Sequence, residues 1–174
     1  MASTLRFNIK GEKQGLFMND AQAKNHQDDK GNAKKWISGL AFEYGLVSPR
    51  DLATGQSSGR RQHQPVKVVM EWGPWTPQIF TASVQNENLT EVNFEFWHTG
   101  VGGVDYVYYA ITLKKAKVSS IRFVHDDLAA KTGKVGDFSK PEVVEVMFTF
   151  SEINMENKDG KTMAADDWMT GTGG

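Results

Sequence analysis

Apolar and polar residues alternate by two along several stretches of the chain, the signature of strands with one buried face. Leu40, Phe42, Tyr44 and Leu46 alternate with Ala41, Glu43 and Gly45, and Val66, Val68, Met70 and Trp72 alternate with Lys67, Val69 and Glu71. Val92, Phe94 and Phe96 form a third stripe, and Val144, Val146, Phe148 and Phe150 a fourth. A fifth, Val107, Tyr109, Ile111 and Leu113, changes phase after Lys114-Lys115, where Ala116 and Val118 take over. A β-bulge there would account for the change. The phase also slips after Phe150, where Ile153 and Met155 continue the apolar face. Long strands that bend in this way favour a barrel.

One short helix is predicted over about 77–85, with Thr76 as N-cap, Pro77 at the first helical position and Ile79, Phe80, Ala82 and Val84 at spacings of three and four. Asn86-Glu87-Asn88 ends it. Gly100-Val101-Gly102-Gly103 and Asp159-Gly160 read as hairpin turns, so the sheet is expected to be largely antiparallel. Residues 11 to 35 are polar and without pattern, Pro49 to Gly59 is rich in turn formers, and Gly171 to Gly174 reads as a flexible tail. No repeat or linker divides residues 1–174, which read as a single domain.

Composition narrows the function classes. The chain is 39% hydrophobic and 24% charged with a formal charge of −1, a globular composition without the basic excess that marks a nucleic-acid binder. No apolar run reaches membrane-spanning length. The absence of cysteine removes disulfide scaffolds, thiolate metal sites and a cysteine nucleophile. Met1 to Lys13 carries Arg6, Lys10, Glu12 and Lys13 with no apolar core, so no cleavable signal peptide is expected and folding is placed in the cytoplasm.

Catalytic constellations are thin. His26, His63, His98 and His125 are scattered without metal-ligand spacing. Asp28-Asp29, Asp126-Asp127 and Asp166-Asp167 lack the spacing of a calcium loop, and read as loop or strand-end charges. Gly100 to Gly103 precedes a strand rather than a phosphate-binding helix. Trp72 and Trp75 flank the helix start, where core packing outweighs a sugar-stacking role. The segment from Pro49 to Arg61 stands out, because Arg50, Asp51, Arg60 and Arg61 crowd a long Gly/Ser loop between two strands; long hairpin loops are uncommon and often functional, with a solvated flexible loop as the alternative.

Four stretches in order carry a family resemblance. They are Gly59-Arg60-Arg61-Gln62-His63-Gln64-Pro65-Val66; Thr76-Pro77-Gln78-Ile79-Phe80-Thr81-Ala82; the run from Tyr108 to Ile121; and Phe148-Thr149-Phe150 through Asp159-Gly160 to Asp166-Asp167-Trp168. Together they resemble the haemolysin-coregulated protein (Hcp) family, the tube protein of bacterial type VI secretion systems. The resemblance implies a β-barrel of two largely antiparallel sheets with the short helix and a long extended loop over about 47–62. It further implies hexameric rings that stack into a conduit, expelled with a VgrG-like spike by a contractile sheath on a baseplate, with effector proteins in the lumen. Assembly in the bacterial cytoplasm and secretion without a cleavable signal follow, with no nucleic acid, no membrane insertion, no cofactor, no metal and no catalytic residue. The long loop joins one ring to the next in that family, which places Pro49, Arg50, Asp51, Arg60, Arg61 and His63 at ring-to-ring contacts. Met70-Glu71-Trp72-Gly73-Pro74-Trp75 departs from the family's usual wording after that strand. Three other readings compete: a carbohydrate-binding β-sandwich using Trp72, Trp75 or Trp97, a small hydrolase using His63 or His98, and a phage tail-tube-like protein.

Overall fold

A computed structural model of the chain describes residues 3–20, 36–125 and 142–168. His26, the pairs Asp28-Asp29 and Asp126-Asp127, most of the patternless stretch and the glycine-rich tail lie outside the described residues.

Among the described residues eleven strands and one helix follow in order: β1 Ser3–Gly11, β2 Gly15–Leu16, β3 Ile37–Glu43, β4 Leu46–Val47, β5 Gln62–His63, β6 Val66–Glu71, α1 Trp75–Val84, β7 Leu89–Thr99, β8 Asp105–His125, β9 Glu142–Thr149, β10 Glu152–Asn157 and β11 Thr162–Asp167. Hydrogen bonding runs β8-β7-β1-β3-β6-β9 and returns from β9 to β8, which closes a six-stranded barrel. Every pairing is antiparallel. Closure distinguishes the fold from an open sandwich and leaves no free edge within the wall. The hairpin β10–β11 extends from β8 as a flap, and β4–β5 forms a separate two-stranded ribbon.

The alternating stripes are the barrel's interior. Val66, Val68, Met70, Val92, Phe94, Leu113, Val144, Val146 and Phe148 are fully buried. Phe94 lies at the centre, with ring centroids 5.5 Å from Phe7, 5.1 Å from Phe42 and 6.4 Å from Phe148. β-branched and aromatic side chains suit this half-buried pleated surface, which is why these segments take the extended form. The first strand is a finding beyond the sequence pattern described above. Leu5, Phe7 and Ile9 point into the core, and β1 takes β7 on one edge and β3 and β2 on the other.

The bends differ from expectation in their mechanism. Lys115 adopts a left-handed φ of 50°, yet Glu91↔Lys114 and Leu89↔Ala116 keep one register across it. On the other edge, Lys114 pairs with Glu152 and Lys117 with Thr149, so the slip at Lys115 lies opposite the slip at Ser151 in one continuous ladder. Two strands therefore bend together without a bulge. The register shift of β8 against β9 comes later, between Val118 and Ser120, and the Ser119 hydroxyl there donates to the Met147 carbonyl at 3.1 Å. A second shift, between Gly39 and Ala41, leaves Leu40 partly exposed rather than within the apolar stripe.

The helix opens two residues earlier than the pattern predicts, with Pro74 as N-cap and Thr76 buried in the first turn. The Thr76 hydroxyl accepts the Gly73 N–H at 3.0 Å, so it still satisfies a backbone donor at the helix start. Trp75, Ile79 and Ala82 seal this helix against the barrel. Both predicted hairpin turns are present, with Gly102 and Gly103 at φ of 94° and 78°, a region open to glycine because it has no Cβ.

Candidate functional site

The long loop is an arm with a fold of its own. At its base Leu46 pairs with His63 and Val47 with Gln62, and further out Arg50 bridges to Ser57. The Ser58 N–H donates to the Pro49 carbonyl at 3.0 Å and the Asp51 N–H to Gln56 at 2.8 Å. The tip is an Asx turn. Asp51 Oδ1 accepts the N–H groups of Ala53 at 2.8 Å and Thr54 at 2.9 Å, and Gly55, at φ 70°, closes the loop back onto the Asp51 carbonyl. Those backbone donors, Thr54 first and then Ala53, hold the Asp51 carboxyl below the ordinary carboxylate range. Arg50 Nη1 donates to the Gly55 carbonyl at 3.2 Å. From Arg50 to Arg60 every residue is exposed, and Leu52 projects its whole side chain into solvent.

At the arm's base a network of four side chains connects it to the flap. Arg61 donates through Nε to Asp166 Oδ2 and through Nη2 to Oδ1, both at 2.6 Å, a bidentate fork. His63 Nε2 lies 2.6 Å from Asp166 Oδ2, and its Nδ1 lies 2.6 Å from the Tyr44 hydroxyl. With Tyr44 donating to Nδ1, Nε2 carries the proton and donates to the carboxylate, a tautomer that satisfies every group. The His63 side chain is 1% exposed, packed between Tyr44, Phe150 and Trp168. The Arg61 fork, with His63 adding to it, holds the Asp166 carboxyl below its ordinary range. Burial, reinforced by the Asp166 charge, raises the Tyr44 phenol.

The six loop residues singled out by sequence thus fall into two groups. Arg50, Asp51 and Arg60 are exposed along the arm and Pro49 is half-buried beside them. Arg61 and His63 turn inward, toward the chain's own Asp166. Tyr44 and Asp166 complete the network and escaped sequence reasoning: Tyr44 reads as one more member of an apolar stripe, and Asp166 as half of a solvated acidic pair.

The remaining candidates are occupied structurally. Trp75 is buried, Trp72 donates its indole N–H to the Val143 carbonyl at 2.8 Å, and the Arg6 guanidinium covers Trp97 at 4.7 Å. His98 stacks on Tyr108 at 3.6 Å, and His125 lies 3.6 Å from Glu142. Among the described residues no group of three His, Asp or Glu side chains converges on a metal position, and no helix is long and apolar enough to cross a membrane.

Comparison with known proteins agrees with this architecture. The family model described as "Type VI secretion system effector, Hcp" matches residues 21–156, most of the chain. The "Major exported protein" of Pseudomonas aeruginosa is 26% identical over 179 residues, with both chains covered completely. A crystal structure of an Hcp protein superposes with a TM-score of 0.82 at 21% identity, covering 96% of this chain and 100% of the other. Hcp1 from E. coli EAEC 042 gives 0.76 at 20% identity, covering 96% and 99%. The secreted protein Hcp3 from Pseudomonas aeruginosa gives 0.72 at 22%, again covering 96% and 99%. A closed barrel with one short helix and an extended arm, matched along its length by these relatives, belongs to the Hcp family of type VI secretion proteins.

Proposed function

We propose that this chain is the structural subunit of a type VI secretion tube: six copies close into a ring, rings stack into a conduit, and the exposed part of the arm contacts the adjacent ring. The observation that carries this reading is the arm itself. Its tip is folded: Asp51 organises the turn through two backbone donors, and Arg50, Asp51 and Leu52 are all exposed on that frame. A pre-ordered projection loses little entropy on binding, which is what a repeating contact between identical rings requires. A ring closes through a heterologous interface and a stack propagates through complementary ends, so tip and acceptor sit on different surfaces of one subunit. Within that reading, the tube is expelled with its spike by a sheath anchored on a baseplate, carries effector proteins in the lumen, and has no catalytic duty.

The test is the double reversal Arg50→Glu with Asp51→Arg. Size-exclusion chromatography with light scattering is expected to give rings near six times the 19.4 kDa chain mass, while negative-stain imaging shows loss of tubes and the host bacterium fails to export the protein. Intact tubes and export would remove the arm tip from the contact. A clean monomer of the unmodified chain at micromolar concentration would remove the tube reading altogether.

A further inference from the structure

We propose that Tyr44, Arg61, His63 and Asp166 form a latch that fixes the direction of the arm, so that Arg61 and His63 are positioning residues rather than ring-contact residues. The bearing of this latch on assembly rests on the proposed role of the arm; the latch itself does not.

Three observations converge on it. Among the described residues the ribbon β4–β5 is a sheet of its own that pairs with no barrel strand: Leu46↔His63 and Val47↔Gln62, with the Gln64 N–H donating to the Gly45 carbonyl at 2.9 Å, join its two sides only to each other. Two strands of two residues each do not hold an angle on their own. Secondly, the side chains leaving the arm's last strand, Arg61 just before it and His63 within it, converge on one carboxylate of a different element, 105 and 103 residues away in sequence. The fork of Arg61 is planar and its geometry admits one approach to Asp166, so it sets orientation as well as proximity. Thirdly, His63 is enclosed by rings from the stretch after β3, the β9–β10 junction and the residue after β11. The arm can therefore swing away from the flap only by breaking three contacts of 2.6 Å to one carboxylate and uncovering a buried imidazole.

Asp166→Asn removes the charge and keeps the shape, Asp166→Glu restores the charge, and Arg61→Lys keeps the cation but loses the fork. Hydrogen–deuterium exchange is followed at arm amides, among them Asp51, Gly55, Ser58 and Gln64, and at barrel amides of β7 as the internal reference. Asp166→Asn is expected to speed exchange in the arm at least tenfold with β7 changed less than twofold, and Asp166→Glu to recover most of the protection. Tube formation is then expected to fall with Asp166→Asn while rings persist. Arm exchange equal to that of the unmodified chain would overturn the latch. Should Asp166→Asn also loosen β7, Arg61→Lys decides on the same readout. A loosened arm with normal tubes, when the tip reversal abolishes tubes, would overturn the link between latch and assembly. Normal tubes in both the latch and the tip variants would instead sink the arm's proposed role and leave the latch standing as a local device.

Discussion

Glu87 offers a quantitative test of how the first hairpin is held. It is 2% exposed beyond the helix end, and its two oxygens accept three donors from the β1–β2 turn. Oε1 takes the N–H groups of Lys13 at 2.7 Å and Gln14 at 2.8 Å, and Oε2 takes the Gln14 side-chain amide at 2.6 Å. Burial alone would raise its pKa, but the Gln14 amide, the two backbone donors and the Lys13 charge outweigh it, and the net displacement is downward. Replacing Glu87 by Gln keeps the volume and removes the charge. With the Gln carbonyl in the place of Oε1, the two backbone bonds each lose roughly 1 kcal/mol, the difference between charged and neutral hydrogen bonds, the amide nitrogen in the place of Oε2 can no longer accept from Gln14, and relief from burying a charge offsets part of that total. A net loss of about 1–2 kcal/mol is expected, which lowers Tm by about 2–8 °C in a domain of this size. Glu87→Ala strands two backbone donors and is expected to cost about 3–5 kcal/mol.

The pH dependence separates this account from simple packing. A carboxyl whose folded pKa is depressed contributes stability that is fully present above its unfolded pKa, near 4.3, and is lost as pH falls through the lower folded value. The gap in Tm between the unmodified chain and Glu87→Gln should therefore be full at pH 7 and close as pH falls below the carboxylate range. Thermal unfolding at fixed protein concentration, followed by circular dichroism between pH 7 and pH 3, measures it. A gap under 1 °C at pH 7, or one of constant size across that range, would refute the reasoning.

Two other perturbations probe the barrel. Phe94→Ala removes the central ring among Phe7, Phe42 and Phe148 and is expected to cost about 3–5 kcal/mol in chemical denaturation; a loss under 1 kcal/mol would mean that the core collapses around the cavity. Lys115 holds a left-handed φ of 50° within a strand, so Lys115→Gly should be neutral or stabilising by up to about 1 kcal/mol, whereas Lys115→Val should destabilise. Equal Tm values for the valine variant and the unmodified chain would count against the left-handed bend.

How far the sequence carries the reader depends on the range of the interactions concerned. Stripes such as Val144, Val146 and Phe148 are legible because burial on one face of a strand repeats every second residue, whatever the partner strand is. The same rule makes Leu5, Phe7 and Ile9 readable, and they pass unnoticed because Arg6, Asn8 and Lys10 dominate the composition of that segment. The bend at Lys115 shows as a change of phase, but whether a phase change is a bulge depends on the opposite strand. Here the answer lies at Ser151, where a matching slip preserves the register. The arm is visible as a long charged loop; its base network is not. Arg61 and Asp166 are 105 residues apart, and nothing in either neighbourhood marks one as the partner of the other. Charge density therefore groups Arg61 with Arg50, although the first is tied to the flap and the second lies exposed on the arm, bonded to the arm's own Gly55 carbonyl.

The position of β1 has a consequence for how the chain is made. Its long edge pairs Ser3 with His98 and Ile9 with Val92, so its partner is synthesised some ninety residues later. Until then a strand with one apolar face, Leu5, Phe7 and Ile9, waits with an unpaired edge, a template for joining the same segment of another nascent chain. Contacts of such long sequence separation also slow folding, because loop closure must be completed before they form. The edge is therefore open to aggregation until β7 arrives, and only closure of the barrel removes it.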